Sequence, residues 1–332
     1  MTALAHQPSR RAMTLLTSLG AALAAAAPST AAPRPASAPV AAARSPIVAR
    51  DGTRLFHRDW GEGRPVVFLA GWGLPSEAWA YQAAALSEQG LRCIAYDRRG
   101  HGRSDAPGRG YDYDTLADDL AAVLDTLDLK DVVLVGHSMA GGEITRYLSR
   151  NGDRRVAKVL YLAPMGPCPA RRPDNPAGVD PAIFEQFRRH VLLRDYPRWL
   201  EENSGPFLTP TTSTEMKDWV RGLMLETSMK ALVECNRSAT AMDLRDELKT
   251  LRVPTLVIQG DRDASTPLEA SGRRYAALVP GARLIVYEGA PHGLMFTHIE
   301  RLNADILAFE SLKRQRPRDR SHGLSLRRSD QA

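Results

Sequence analysis

The sequence predicts an α/β domain: a mostly parallel sheet with helices on both faces and an inserted helical cap. Three observations predict it. Apolar runs without alternation, such as "RPVVFLA", "DVVLVG" and "VPTLVIQG", read as strands buried on both faces. Segments of helical period separate most of these runs, which is the rhythm of strand, crossover helix, parallel strand. One stretch, about 165–246, breaks the rhythm with helical patterns and no strand run, and it is too long for an ordinary crossover.

The elements follow in order. "RPVVFLA" is the first strand, and "SEAWAYQAAALSEQG" is a helix stopped by Gly90. "LRCIAYD" is the next strand. "DYDTLADDLAAVLDTLDL" is an amphipathic helix with Asp112 or Asp114 as N-cap. The strands "DVVLVG" and "VAKVLYLAP" flank a helix that begins after Ser138. Then come the helices of the insertion, "AIFEQFRRHVLLRDYPRWLEEN", "TEMKDWVRGLMLE" and "MKALVECNRSATAM". The chain closes with strand "VPTLVIQG", helix "LEASGRRYAALVPG", strand "ARLIVYEG" and helix "THIERLNADILAFESLK". Ligands of open parallel sheets bind beyond the carboxyl ends of the strands, so an insertion there would roof a site.

The 332 residues are 43% hydrophobic and 25% charged, enough for one sizeable core. The net charge of +6 is unevenly placed. Residues 1–46 carry four arginines and no acid, and residues 313–332 carry seven cations against two acids, leaving −3 on 47–312. A mildly acidic body argues against a nucleic-acid-binding face. The tail 313–332 reads as a basic, solvated, disordered extension.

Residues 1–46 read as an address. "SRRAM" has paired arginines, an apolar run follows from about Met13 to Ala27, and small residues suited to cleavage come next. The run is short for a span, which needs about 20 residues, so no integral span is expected after signal removal. The arginine pair resembles a twin-arginine export signal, with Met13 where that motif prefers Phe. Pro28 to Pro46 is then cleavage region and linker, the folded domain is 47–312, and the expected location is periplasmic or secreted. Cys93 sits in a strand as a core thiol, while Cys168 and Cys235 are open to pairing after export. No residue spacing suggests zinc or another metal, and no cofactor is expected. The sequence does not give the oligomeric state.

The chemistry centres on "LVGHSMAGGE". Ser138 lies between a strand end and a helix start, the setting of a nucleophile on a strained turn. Its neighbours Gly136, Ala140, Gly141 and Gly142 are small, with Ala140 where glycine is usual. A serine hydroxyl needs a base held by a third group. His292, between Pro291 and Gly293 at a strand's carboxyl end, is the candidate base. Asp261 or Asp263 in "QGDRDAST" would hold the imidazole, and position alone leaves both open. The order Ser, Asp, His differs from the two protease orders. The N–H of Met139 is one oxyanion donor, and the loop "FLAGWGLPSEAW" offers Trp72 for the second. The Trp72 indole either lines the acyl pocket or packs beneath the cap. Phe184, Phe187, Trp199, Trp219, Met224 and Met229 supply the cap with bulk for its own core or for the substrate.

The chain from about Ile47 to Leu312 resembles the α/β-hydrolase family, and within it the cofactor-free haloperoxidase and esterase group. "AGWGLPSEAW", "AYDRRGHGRSD", "LVGHSMAGGE", "LVIQGDRDASTPLEASGRR" and "GAPHGLMF" carry the resemblance. It implies a Ser138–Asp263–His292 triad, choosing Asp263 as the second aspartate of G-D-x-D, with Trp72 and Met139 as oxyanion donors. It also implies that Asp97, Arg99 and His101 shape a loop beside the site. Two departures stand out: Ala70 replaces a loop-bracing histidine, and Gly73 stands where peroxide-using members commonly have proline. The second bears on perhydrolysis more than on ester hydrolysis. The expected activity is hydrolysis of small carboxylic esters through an acyl-enzyme. The alternatives are a perhydrolase on the same triad and a non-catalytic ligand-binding protein. Dehalogenase and epoxide-hydrolase relatives use a carboxylate where Ser138 stands.

Overall fold

The computed structural model describes residues 46–312; the stretch read as an export signal, save Pro46, and the basic tail 313–332 lie outside the described residues. Nine strands form. β1 (Ile47–Val48) and β2 (Arg54–Leu55) make a small antiparallel ladder of their own. The main sheet holds β3 (His57–Trp60), β4 (Arg64–Leu69), β5 (Leu91–Tyr96), β6 (Val132–His137), β7 (Val156–Leu162), β8 (Thr255–Gly260) and β9 (Arg283–Tyr287). Their order is β3-β5-β4-β6-β7-β8-β9, with only β3 antiparallel. β6 and β7 are buried at every residue, as central strands covered on both faces must be.

The helices are α1 (Ala80–Ser87), α2 (Tyr113–Thr126), α3 (Ala140–Asn151), α9 (Gly272–Leu278), α10 (Leu294–Thr297) and α11 (Ile299–Ser311), with α4 to α8 between β7 and β8. Asp112 is the cap of α2, its carboxylate accepting from the Thr115 N–H at 2.9 Å. The inserted helices are α4 (Pro181–Phe187), α5 (Leu193–Phe207), α6 (Thr214–Leu225), α7 (Met229–Ala241) and α8 (Arg245–Thr250). Among the described residues, no helix is long and apolar enough to cross a membrane.

The structure departs from or decides the sequence reading at several points. β1 to β3 were not expected, because "IVARDGTRLFHRDW" holds no apolar run and β3 is a half-buried edge strand. The segment expected as one helix over 182–203 is broken. A π-helical turn, Arg188–Leu192, follows α4, and Asp195 leaves helical geometry at φ −155°, ψ 71°. Pro197, with no N–H to bond back to Leu193, accounts for that break. The helix expected over 268–281 is confined to α9, and the final helix is interrupted at His298. The three cysteines are buried and free, so Cys168 and Cys235 are not bridged.

Candidate active site

β6 ends at His137, and α3 begins at Ala140, which leaves two residues to reverse the chain. Ser138 takes φ +56°, a left-handed conformation that costs a non-glycine residue roughly 1–3 kcal/mol. The turn closes only with small neighbours. A Cβ on Gly136 would come within 2.5 Å of Ile144, and one on Gly142 within 2.5 Å of the Tyr113 ring. Ala140 fits its position fully buried, so the extra methyl is accommodated.

Ser138 Oγ lies 2.9 Å from His292 Nε2, and His292 Nδ1 lies 2.7 Å from Asp263 Oδ2. Since a carboxylate only accepts, Nδ1 carries the proton and Nε2 is the acceptor for the serine hydroxyl. Asp263 is encircled by donors. Oδ1 accepts from the N–H groups of Ser265 (2.9 Å) and Thr266 (2.8 Å), and Oδ2 accepts from Gln259 Nε2 (2.7 Å) and Thr266 Oγ1 (2.9 Å). Burial pushes this carboxyl up, but the His292 charge, its hydrogen bond and the Thr266 donors outweigh that and hold it below the usual range. Asp261 is elsewhere, accepting from the Gly289 N–H at 2.7 Å. His137 stays neutral because burial holds its imidazole well below the usual range, and its Nε2 donates to the His292 carbonyl at 3.1 Å.

Trp72 and Met139 line the same cavity as Ser138 and His292. Among the described residues, the backbone N–H groups of Trp72 and Met139 donate to no other group, whereas those of Ser138, Gly73 and Leu74 are engaged. Two unengaged N–H groups flanking a serine are what a developing oxyanion requires. The Trp72 indole has both roles left open by the sequence: it lines the cavity, and its Nε1 donates to the Leu232 carbonyl at 2.8 Å on α7.

The loop that begins at Ala70 is braced by Arg98 and Glu143, which the sequence reading did not single out. Arg98 donates to the carbonyls of Ala70 (2.6 Å) and Gly71 (3.3 Å) and pairs with Glu143 at 2.5 Å, all three groups buried. The guanidinium thus holds the loop that begins at Ala70. Gly73 has φ +76°, and its N–H donates to His101 Nε2 at 3.3 Å. A proline, fixed near −65° and lacking the N–H, would fit neither constraint. Asp97 accepts from the N–H groups of Ser76 (2.6 Å) and Arg103 (2.8 Å), and Arg99 pairs with Asp119 and Asp51. No sequence signal separates Arg98 from Arg99. Gln259 did carry one, as a polar side chain inside an apolar strand.

The cavity holds about 320 Å³. Phe187, Trp199 and Met224 of the inserted segment line it. Of the other bulky residues there, Phe184 borders a separate groove, Trp219 packs on Tyr81 and Phe296, and Met229 is exposed.

Comparison with known proteins agrees with this geometry. The alpha/beta hydrolase fold family matches residues 64–299. The chain is 39% identical over 266 residues to the non-heme chloroperoxidase CPO-A1 of Kitasatospora aureofaciens, covering 78% of this chain and 97% of that one. It is 34% identical over 271 residues to the bifunctional esterase/perhydrolase DCH of Acinetobacter calcoaceticus, covering 79% and 98%. Among solved structures, the esterase EaEST of Exiguobacterium antarcticum superposes with a TM-score of 0.78 at 30% identity, covering 81% and 99%.

Proposed function

The chain belongs to the alpha/beta hydrolase family, and from that premise we propose that it hydrolyses small carboxylic esters through an acyl-enzyme on Ser138. The observation that carries the reading is the continuous chain of hydrogen bonds Ser138–His292–Asp263, which opens on the cavity through Ser138 and His292. The Ser138 oxygen bonds to the ester carbonyl carbon as its proton passes to His292 Nε2. The N–H groups of Met139 and Trp72 receive the oxyanion. The tetrahedral adduct collapses with cleavage of its C–O bond, and the imidazolium gives its proton to the departing alcohol. Water, deprotonated by His292, then attacks the acyl-enzyme and releases the acid. Asp263 keeps the imidazole in the required tautomer and stabilises its charged form.

The reading is tested with 4-nitrophenyl acetate. Ser138→Ala is expected to lower kcat by about 10⁵–10⁶. Equal rates from the two folded proteins would overturn it and favour binding without turnover.

The names of the related chloroperoxidase and of the esterase/perhydrolase support a second reading, in which hydrogen peroxide replaces water and the acyl-enzyme yields a peracid. Peroxide and bromide added to the same assay decide it: absence of bromination removes it. Residues 1–46 act, in this proposal, as an export signal, supported by the arginine pair and the apolar run. Exported protein that still begins at Met1 would rule out its cleavage.

A further inference from the structure

The cavity above Ser138 has two chemically different ends, and one helix supplies the difference. Lys217, Val220, Arg221 and Met224 of α6 all line it. Their spacing puts them on a single helical face. Met224 marks the inner end, because a Cβ placed on Gly73 of the oxyanion loop would lie 3.3 Å from its Cε. Lys217 is seven residues earlier, about 10 Å along the helix axis. The stripe therefore runs from an apolar contact beside the reacting centre to a pair of cations farther out.

The two cations are not equivalent. Arg221 is neutralised by Glu201 at 2.5 Å and Asp218 at 2.9 Å. Lys217 is half-buried, and among the described residues its ammonium meets no carboxylate. No Asp or Glu of the described residues lines the cavity, while Asn203 and Ser204 of α5 add hydrogen-bonding groups to its wall. An uncompensated cation in a cavity otherwise dominated by aromatic and aliphatic side chains attracts an anion more strongly than it would in bulk water.

We propose that Lys217 selects substrates whose acyl chain ends in a second, ionised carboxylate: the half-esters of straight-chain dicarboxylic acids. The ester enters the floor beside Ser138 and Met224, the methylene chain lies along Val220, and the free carboxylate meets the Lys217 ammonium. This rests on the ester-hydrolase reading of the same site and adds the substrate class to it.

The test is a pH-stat comparison of the full chain on monomethyl adipate, suberate and sebacate against the methyl esters of the monocarboxylic acids of equal carbon number. The measured quantity is the ratio of kcat/KM for anionic over neutral ester at each length. At least one length should favour the anion by about tenfold. That ratio should fall towards one in Lys217→Met, survive in Lys217→Arg, and shrink with added salt. A ratio near one at every length in the parent overturns the proposal, as does a ratio unchanged in Lys217→Met. In either case, Ser138-dependent cleavage of neutral esters leaves the hydrolase reading standing. If the parent cleaves no ester at all, including 4-nitrophenyl acetate, the hydrolase reading falls and the proposal falls with it.

Discussion

A single guanidinium, that of Arg98, ties three separate chain segments to one another. It joins the segment after β5 to the Ala70–Gly71 carbonyls of the loop after β4 and to Glu143 in the first turn of α3, the helix that starts just past Ser138. The loop after β4, which bears the proposed donor Trp72, and the start of α3, next to Met139, are thereby held in fixed register. Lysine cannot reproduce this, because its point charge lacks the planar fork that reaches a carboxylate and two carbonyls together. Arg98→Lys is therefore expected to lower kcat for 4-nitrophenyl acetate by about tenfold or more, with KM little changed, since a misplaced donor costs transition-state stabilisation. A change confined to KM, or to thermal stability with kcat intact, would show that the contact only supports the fold.

Among the elements, β7 and α11 illustrate a contact that strand periodicity does not reveal. Lys158 sits inside the fully buried run of β7, where an aliphatic side chain is the ordinary occupant. Its ammonium donates to the carbonyls of Phe309 (2.8 Å), Glu310 and Leu312 (2.7 Å) at the end of α11, where helical carbonyls run short of backbone donors. This buried cation, with Arg64 of β4 donating to the Glu310 carbonyl at 3.1 Å, ties the last helix to the sheet. Lys158→Met should lower unfolding stability by about 2–3 kcal/mol, read from urea midpoints, and speed amide exchange in the last turn of α11. Unaltered midpoints would mean that water satisfies those carbonyls equally well. The break in α5 at Asp195 acts at the same scale, since it separates Phe187 from Trp199 and lets both rings reach Trp72, at 6.5 Å and 5.7 Å between centroids.

Across the folded domain, the buried imidazoles make stability depend on pH. His101 is held at about 3, chiefly by burial and then by the Arg98 charge, while an unfolded histidine titrates near 6.5. Between these values the unfolded chain binds the proton and the folded one does not, so this contribution is complete above 6.5 and is lost as pH falls towards 3. His101 alone should cost about 2 kcal/mol of stability between pH 7 and pH 5. Urea midpoints of the parent should fall more steeply over that range than those of His101→Asn. Parallel slopes would show that His101 takes up its proton as readily in the folded protein as in the unfolded chain.

Much of this protein was legible in the sequence by itself. Apolar runs longer than an edge strand needs, separated by segments of helical period, determine a parallel sheet covered on both faces. Small residues around Ser138 mark a turn that larger ones would obstruct, and the stretch without strands marks the insertion. The β1–β2 ladder and the edge strand β3 escaped because short strands that are not buried on both faces carry no apolar signature. Only the tertiary structure chose between Asp261 and Asp263 on geometric grounds, since both follow the same strand and a single turn sends one to Gly289 and the other to His292. It alone singled out Arg98 from Arg99, and Lys217 from the chain's other lysines. Periodicity records which face of an element is apolar; which polar atoms meet across the fold depends on loop conformations and distances of a few ångströms that no local pattern encodes.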